Sequence, residues 1–428
     1  MANLLPCQSS PALCQVSALH KYRQTHARVI DFVCVIFVLC LLNLHPGLFG
    51  IKFGKELLGI SVLALAYLGS ACRGGLNGKE WVALWLGLAF AFFCWIRLMW
   101  LGALDAAPLE GVSNVTAQLM VMLVGLVGGF TVSRLHRTRL VCVVICVIFV
   151  VLSLSVTITY VALLLGKEPA GVIEFTLGPE GLTGAWVCRI IFPFTLFAVT
   201  VPFLGEQLPR FNAMYSEPGV AQAYLITAFL LVSFIVQRRG WILKALLGVG
   251  VLATFSSFGY PLFALCAGYQ AFMRRGNVVM KSLTIVAVIG TLVWMLNSEV
   301  LDYQNKLTRQ GIVPESRFPP IRESWHALSD NPLIGSGIFT SAKGGYGSEG
   351  GTLLSSAHAL GIVGLTLYAL AFSSTLFGRH SWRTSILWVP FLVTGLLNEP
   401  VYLNGCLWFI ASLRTKDLLF TDTSSKQE

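Results

Sequence analysis

Leu140 to Leu165 reads LVCVVICVIFVVLSLSVTITYVALLL. It holds no Asp, Glu, Lys or Arg, and only Ser, Thr and Tyr interrupt its apolar side chains. A helix rises about 1.5 Å per residue, so roughly 20 such residues cross the ~30 Å hydrocarbon core of a bilayer. The period-two alternation of a membrane β-barrel strand is missing. The run therefore predicts a transmembrane helix, and Arg134, Arg137 and Arg139 stand just before it.

Similar runs lie on both sides, near 29–46, 55–72, 81–103, 113–133, 219–237, 241–257, 259–273, 277–297, 351–375, 384–398 and 401–413. The predicted fold class is all-α: a polytopic transmembrane helix bundle of about 11–13 membrane segments with one large periplasmic loop. The 428 residues are 55% hydrophobic and 12% charged, with a mean hydropathy of +0.74. A soluble protein carries about twice that charge.

The net charge of +10 follows the sorting of basic residues to cytoplasmic loops. Arg73/Lys79, Arg134/Arg137/Arg139, Arg238/Arg239, Arg274/Arg275, Arg379/Arg383 and Arg414/Lys416 mark one side. Asp105 and Glu110 mark the other. Nucleic acid is excluded as a partner, because the basic residues are scattered over short loops rather than gathered in a patch. The eleven cysteines show neither metal-ligand spacing nor a disulfide framework. The first apolar run is too long for a cleavable signal.

These markers give a cytoplasmic N-terminal tail (1–27), an N-terminal bundle (28–297), a periplasmic loop (298–350), C-terminal helices (351–413) and a cytoplasmic tail (414–428). The expected location is the bacterial inner membrane, multi-pass, with the active face periplasmic. One stretch breaks the parity. Residues 185–205 are apolar, yet both flanking loops fall outside, and the stretch contains Arg189, Pro193 and Pro202. Proline frees backbone carbonyls that lipid cannot satisfy. The expectation is a re-entrant or interfacial segment within 166–218; the alternative is an ordinary kinked span.

Chemistry is expected on the outside loops. Arg210 precedes Glu217-Pro218-Gly219, which opens a span. Pro218 and Glu217 suit a helix start. Arg210 has no such explanation, and its planar fork suits phosphate. In the long loop stand Arg317, Arg322, Trp325 and His326, followed by the Asp330-Asn331-Pro332 turn and Gly335-Ser336-Gly337. The arginines either bind lipid headgroups or form a diphosphate clamp with Arg210. Glu349 ends the loop, and His358 lies in the next span, as a buried hydrogen-bonded residue or as a general base. Secondary candidates are Glu217; Glu399, at a helix break on the outer face; Arg97, which snorkels or lines a polar cavity; and Tyr260, a platform for a sugar ring in the 256–261 turn. No P-loop, HExxH or GxSxG motif is present.

Two blocks resemble the O-antigen polymerase and ligase family of bacterial inner membranes. One is Arg210-x6-Glu217-Pro218-Gly219. The other is Arg322-x2-Trp325-x2-Leu328-x3-Pro332-Leu-Ile-Gly335-x-Gly337, followed by Gly361-Ile-Val-Gly364-Leu365. The turn from Thr254 to Gly259 is similar to the family's Ser-containing turn. The resemblance implies metal-independent, inverting transfer of a glycan from undecaprenyl diphosphate, with no cofactor and with Arg210 and Arg322 as functional arginines. Arg317 stands near enough to share that role. It implies lipid-linked donor and acceptor, membrane lipids and a chain-length regulator as partners. The family's ligases carry a His-Asn pair about eleven residues before the Gly-Ile-x-Gly turn; here that place reads Ser348-Glu349-Gly350-Gly351. The departure favours a polymerase and makes Glu349 the nearest candidate base, with His358 as the alternative. A ligase acting on lipid A-core or protein is the second reading. A lipid transporter or flippase is the third, although neither inverted halves nor intramembrane acidic residues support it. A purely structural membrane protein is the fourth, and it leaves the outer-face arginines unexplained.

Overall fold

A computed structural model describes residues 11–44, 48–72, 74–103, 109–167, 172–177, 186–191, 195–203, 206–215, 218–236, 240–256, 258–273, 329, 331–335, 357–381, 383–397 and 403–422, with seven helical positions between 279 and 293. The helices are α1 (Pro11–Asn43), α2 (Leu48–Ala71), α3 (Gly78–Ala103), α4 (Leu109–Arg134), α5 (Thr138–Leu164), α6 (Pro218–Ile235), α7 (Gly240–Ala253), α8 (Gly259–Met273), α9 (Ala357–Leu376), α10 (Val389–Leu397) and α11 (Gly405–Ser412). Among the described residues, seven helices are long and apolar enough to cross a membrane: α1 to α6 and α9. The fold is an all-α polytopic bundle; α3, α4 and α5 follow their hydropathy runs within a few residues, while α1 begins at Pro11, inside the stretch read as a tail. The run opened by Leu140 is α5. One side of it is buried, through Val141, Cys142, Ile145, Cys146, Phe149 and Val156. Val147, Val151, Leu154, Ile158 and Val161 are exposed on the other, as lipid requires.

The 185–205 stretch is extended rather than helical where it is described. In place of the alternative, a kinked helical span, four antiparallel strands run as a meander: β1 (Val172–Leu177), β2 (Trp186–Ile191), β3 (Thr195–Phe203) and β4 (Glu206–Phe211). Their sequences, VIEFTL, WVCRII and TLFAVTVPF, are rich in β-branched and aromatic residues, which favour strands as much as they raise hydropathy. Among the described residues β2 pairs with β3 only over Thr195–Phe197, so at Pro202 the strand has a described neighbour, β4, on one side, an edge position that tolerates proline.

The bundle has two distinct ends. At the arginine-rich end α4 finishes at Arg134 and α5 begins after Arg137. The α3 helix also starts here, under a reciprocal cap: the Asn77 side chain accepts from the Glu80 amide (2.9 Å), and Glu80 accepts from the Asn77 amide (3.0 Å). The meander lies at the opposite end, beyond α5. The α3 and α9 helices run antiparallel between these ends. Gly364 packs on Phe93, Tyr368 on Phe90, and Gly378 faces Lys79.

The α10–α11 pair is shorter than a membrane span. It rises from the arginine-rich end, after a 3-10 turn at Ser385–Leu387, and returns to it. The Asn404 side chain caps α11, accepting from the Cys406 amide (2.8 Å) and from the Tyr224 hydroxyl (3.0 Å). The α11 helix lies against Gly125-x-x-x-Gly129 of α4. A Cβ on Gly125 would strike the Gly405 carbonyl, and one on Gly129 would strike Ser412. Small residues at this spacing let backbones touch where no hydrophobic drive separates helix from lipid.

Candidate functional site

Arg210 sits near the end of β4, where the meander turns into α6. Its Nε donates to the Thr254 carbonyl at 3.2 Å. The neighbouring Pro209 carbonyl accepts from the Tyr160 hydroxyl of α5, which also lies 3.1 Å from the Ala253 carbonyl. Three elements far apart in sequence thus fix one arginine at the meander end: β4, the end of α5 and the turn between α7 and α8.

That turn is tightly built. The Thr254 hydroxyl donates to the Val251 carbonyl (2.7 Å) and accepts from the Ser256 amide (3.3 Å). The Ser256 hydroxyl accepts from the Gly259 amide (3.3 Å). Phe255 takes a left-handed φ of 44°, and its ring tilts onto Tyr160 at 6.5 Å. Tyr260 is corrected here. It is buried, and its hydroxyl donates to the Leu252 carbonyl at 2.5 Å. It locks the turn that receives Arg210 and presents no open face to a sugar.

On the other side of Arg210, β4 leads through Asn212–Tyr215 into α6. The Tyr215 ring stacks on Tyr224 (4.3 Å between centroids) and on Phe149 (6.4 Å). Burial pushes the Tyr215 hydroxyl well above its usual range, so it stays neutral.

The second cluster joins the long loop to α9. The Asn331–Gly335 turn closes on itself, with the Gly335 amide donating to the Asn331 carbonyl (3.0 Å) and Gly335 at φ 67°. The α9 helix breaks at Gly361, whose φ of 60° and ψ of −178° belong to glycine alone. The break would orphan the amides of Ile362 and Val363. They donate instead to the Pro332 carbonyl (2.8 Å) and the Leu333 carbonyl (3.0 Å). The turn therefore acts as the N-cap of the helix that continues to Leu376, satisfying donors at its positive end. A Cβ on Gly361 would overlap the Gly335 amide and the Leu333 carbonyl. The two halves of the block that resembles the family, Pro332–Gly335 and Gly361–Leu365, are thus in direct backbone contact.

Arg97 reaches this junction from α3 and donates from Nη2 to the Gly335 carbonyl at 2.7 Å. Of the two roles expected from sequence, snorkelling is replaced by a bond to the loop. Arg189 lies on β2 opposite Glu174 of β1 and Phe197 of β3. His358 falls in the first turn of α9 by its backbone; its side chain is outside the described residues. So are Arg317, Arg322, His326, Glu349, Glu217 and Glu399. Among the described residues, no group of His, Cys, Asp and Glu is gathered to hold a metal ion.

Tyr160, the bond from Arg210 to Thr254 and the Gly335–Gly361 contact were not apparent in the sequence. Tyr160 is one polar residue in an apolar helix, and its partners are 49 and 93 residues away. Gly361 carried a signal, a glycine near the start of a span, three residues after His358 and within Gly361-Ile-Val-Gly364. No family model, curated protein or solved structure matches the chain.

Proposed function

We propose that the protein is an inner-membrane glycosyltransferase that polymerises oligosaccharide repeat units carried on undecaprenyl diphosphate, with the meander end facing the periplasm. The product is O-antigen or a similar surface polysaccharide. The observation that carries this reading is that Arg210 and the root of the arginine-bearing loop, turn 331–335, sit at the same end of the bundle. An α-helical chain with an arginine fixed at one end suits an anionic headgroup whose lipid stays in the bilayer.

In the reaction, an acceptor hydroxyl attacks the anomeric carbon of the donor sugar. The new glycosidic C–O bond forms as the bond to the diphosphate breaks, with inversion. Arg210, with Arg317 and Arg322 from the loop, meets the charge that grows on the leaving diphosphate. The hydroxyl proton passes to Glu349 or His358. Binding two lipid-linked substrates in one plane supplies much of the alignment. Removing one arginine is expected to cost about 3 kcal/mol of barrier, or about a hundredfold in rate.

The test is gel analysis of surface glycan in a strain deleted for this gene and restored with wild type or with Arg322→Ala. Lipid A-core bearing one repeat unit after deletion supports the polymerase, and Arg322→Ala then fails to restore the ladder. Bare lipid A-core with accumulated lipid-linked polymer points to a ligase. Unchanged glycan removes both.

A further inference from the structure

Arg97 is placed where a charge is costly. It lies on a helix whose neighbours Trp95, Ile96, Met99 and Trp100 are exposed apolar side chains, as lipid-facing residues are. A guanidinium at such depth needs a partner. Its bond goes to the Gly335 carbonyl, 238 residues away in sequence. That carbonyl completes a pattern: the carbonyls of Asn331, Pro332, Leu333 and Gly335 are all engaged, by the Gly335 amide, by the two amides freed at the Gly361 break, and by Arg97.

The contact is directional. The turn approaches α9 so closely that position 361 has no room for a side chain. The amides of Ile362 and Val363 hold the turn along α9, and Arg97 holds it from α3. Two helices thus pin one five-residue turn. This turn stands nine residues after Arg322 and fourteen residues before Glu349, so it is the described point at which the loop is tied to the bundle.

We propose that Arg97 is a positioning residue. It holds the 331–335 turn on the broken start of α9, and transfer at the Arg210 end of the bundle depends on that hold. This second step rests on the glycosyltransferase reading; the holding of the turn does not. Arg97 acts through backbone, so its loss lowers turnover and leaves donor KM nearly unchanged. Arg97→Lys keeps the charge without the planar fork and falls between wild type and Arg97→Ala.

The experiment pairs two readouts on the full-length protein in lipid nanodiscs. Amide hydrogen exchange over 357–376 reports the Ile362 and Val363 bonds directly, and glycan gels of the same variants report activity. We expect Arg97→Ala to speed exchange at Ile362–Val363 by about tenfold or more, with the rest of α9 unchanged, and to shorten or abolish the ladder. Unchanged exchange at these amides overturns the proposal. So does a normal ladder from Arg97→Ala in a strain where Arg322→Ala gives none. If Arg322→Ala itself gives a normal ladder, the glycosyltransferase reading is what fails, and exchange alone upholds or overturns the pinning of the turn.

Discussion

The two ends of the bundle use arginine in opposite ways. At the arginine-rich end, Arg379 is saturated. Its Nη2 meets Glu80 at 2.5 Å, its Nη1 donates to the Ser412 carbonyl at 3.0 Å, and its guanidinium lies 4.3 Å over the Phe130 ring. At the meander end, Arg97 and Arg210 donate to backbone carbonyls, of Gly335 and Thr254. A carboxylate neutralises the charge of its partner; a carbonyl accepts one directed bond from a guanidinium. The first arrangement ties the ends of α3, α9 and α11 together. The second ties Arg97 to the 331–335 turn and Arg210 to the turn at Thr254.

The largest expected effect breaks the saturated end. Glu80 and Arg379 are 5% and 10% exposed in their side chains. Removing one partner strands the other charge, so Glu80→Ala or Arg379→Ala should lower stability by about 3–5 kcal/mol, while replacing both with apolar residues of similar volume restores much of it. Thermal unfolding in detergent measures this, and a double variant whose loss equals the sum of the two single losses would deny the pairing. The opposite end should respond in activity rather than stability. Arg210→Ala is expected to lose about a hundredfold in rate with near-normal unfolding temperature. A large loss of stability there would make Arg210 a structural residue like Arg379.

A pH series sharpens the contrast. His380 sits between the Ala411 carbonyl and the Thr415 hydroxyl, both 2.8 Å from its ring nitrogens. Burial, opposed by the Ala411 bond and aided by Arg379, lowers its pKa from 6.5 to about 4. The unfolded chain therefore binds one more proton than the folded chain between these values, and stability rises with pH across that window. Acidification from pH 7 to 4.5 should lower the unfolding temperature of wild type more than that of His380→Gln. Parallel curves would contradict the burial. The smallest effect is expected from Tyr260→Phe, which removes the bond to the Leu252 carbonyl and should cost about 1 kcal/mol with the glycan ladder retained. Loss of the ladder at normal stability would return Tyr260 to the substrate.

Much of the bundle was legible because hydropathy and lipid thickness act locally. The run at Leu140–Leu165 and α5 at Thr138–Leu164 differ by two residues at most. The meander was not, since Val, Ile, Thr and Phe raise hydropathy and strand preference together. Arg189 and the two prolines warned against a simple span, yet nothing in the stretch named the pairing of Glu174 with Arg189. Arg210 was legible as an arginine away from the arginine-rich end, and its bond to the Thr254 carbonyl was not. The partners of Arg97 and Arg379 were not, being 238 and 299 residues away. Such contacts follow from packing α3 against α9, which no local pattern encodes.

The central claim is that the meander end transfers glycan from lipid diphosphate. The most direct measurement places purified protein in lipid vesicles with an undecaprenyl-diphosphate-linked repeat unit and follows polymer formation and release of undecaprenyl diphosphate. The account predicts both from wild type and Tyr260→Phe, and neither above about one hundredth of that rate from Arg210→Ala. Polymer formed equally well by Arg210→Ala, or lipid diphosphate left intact by wild type, would contradict it.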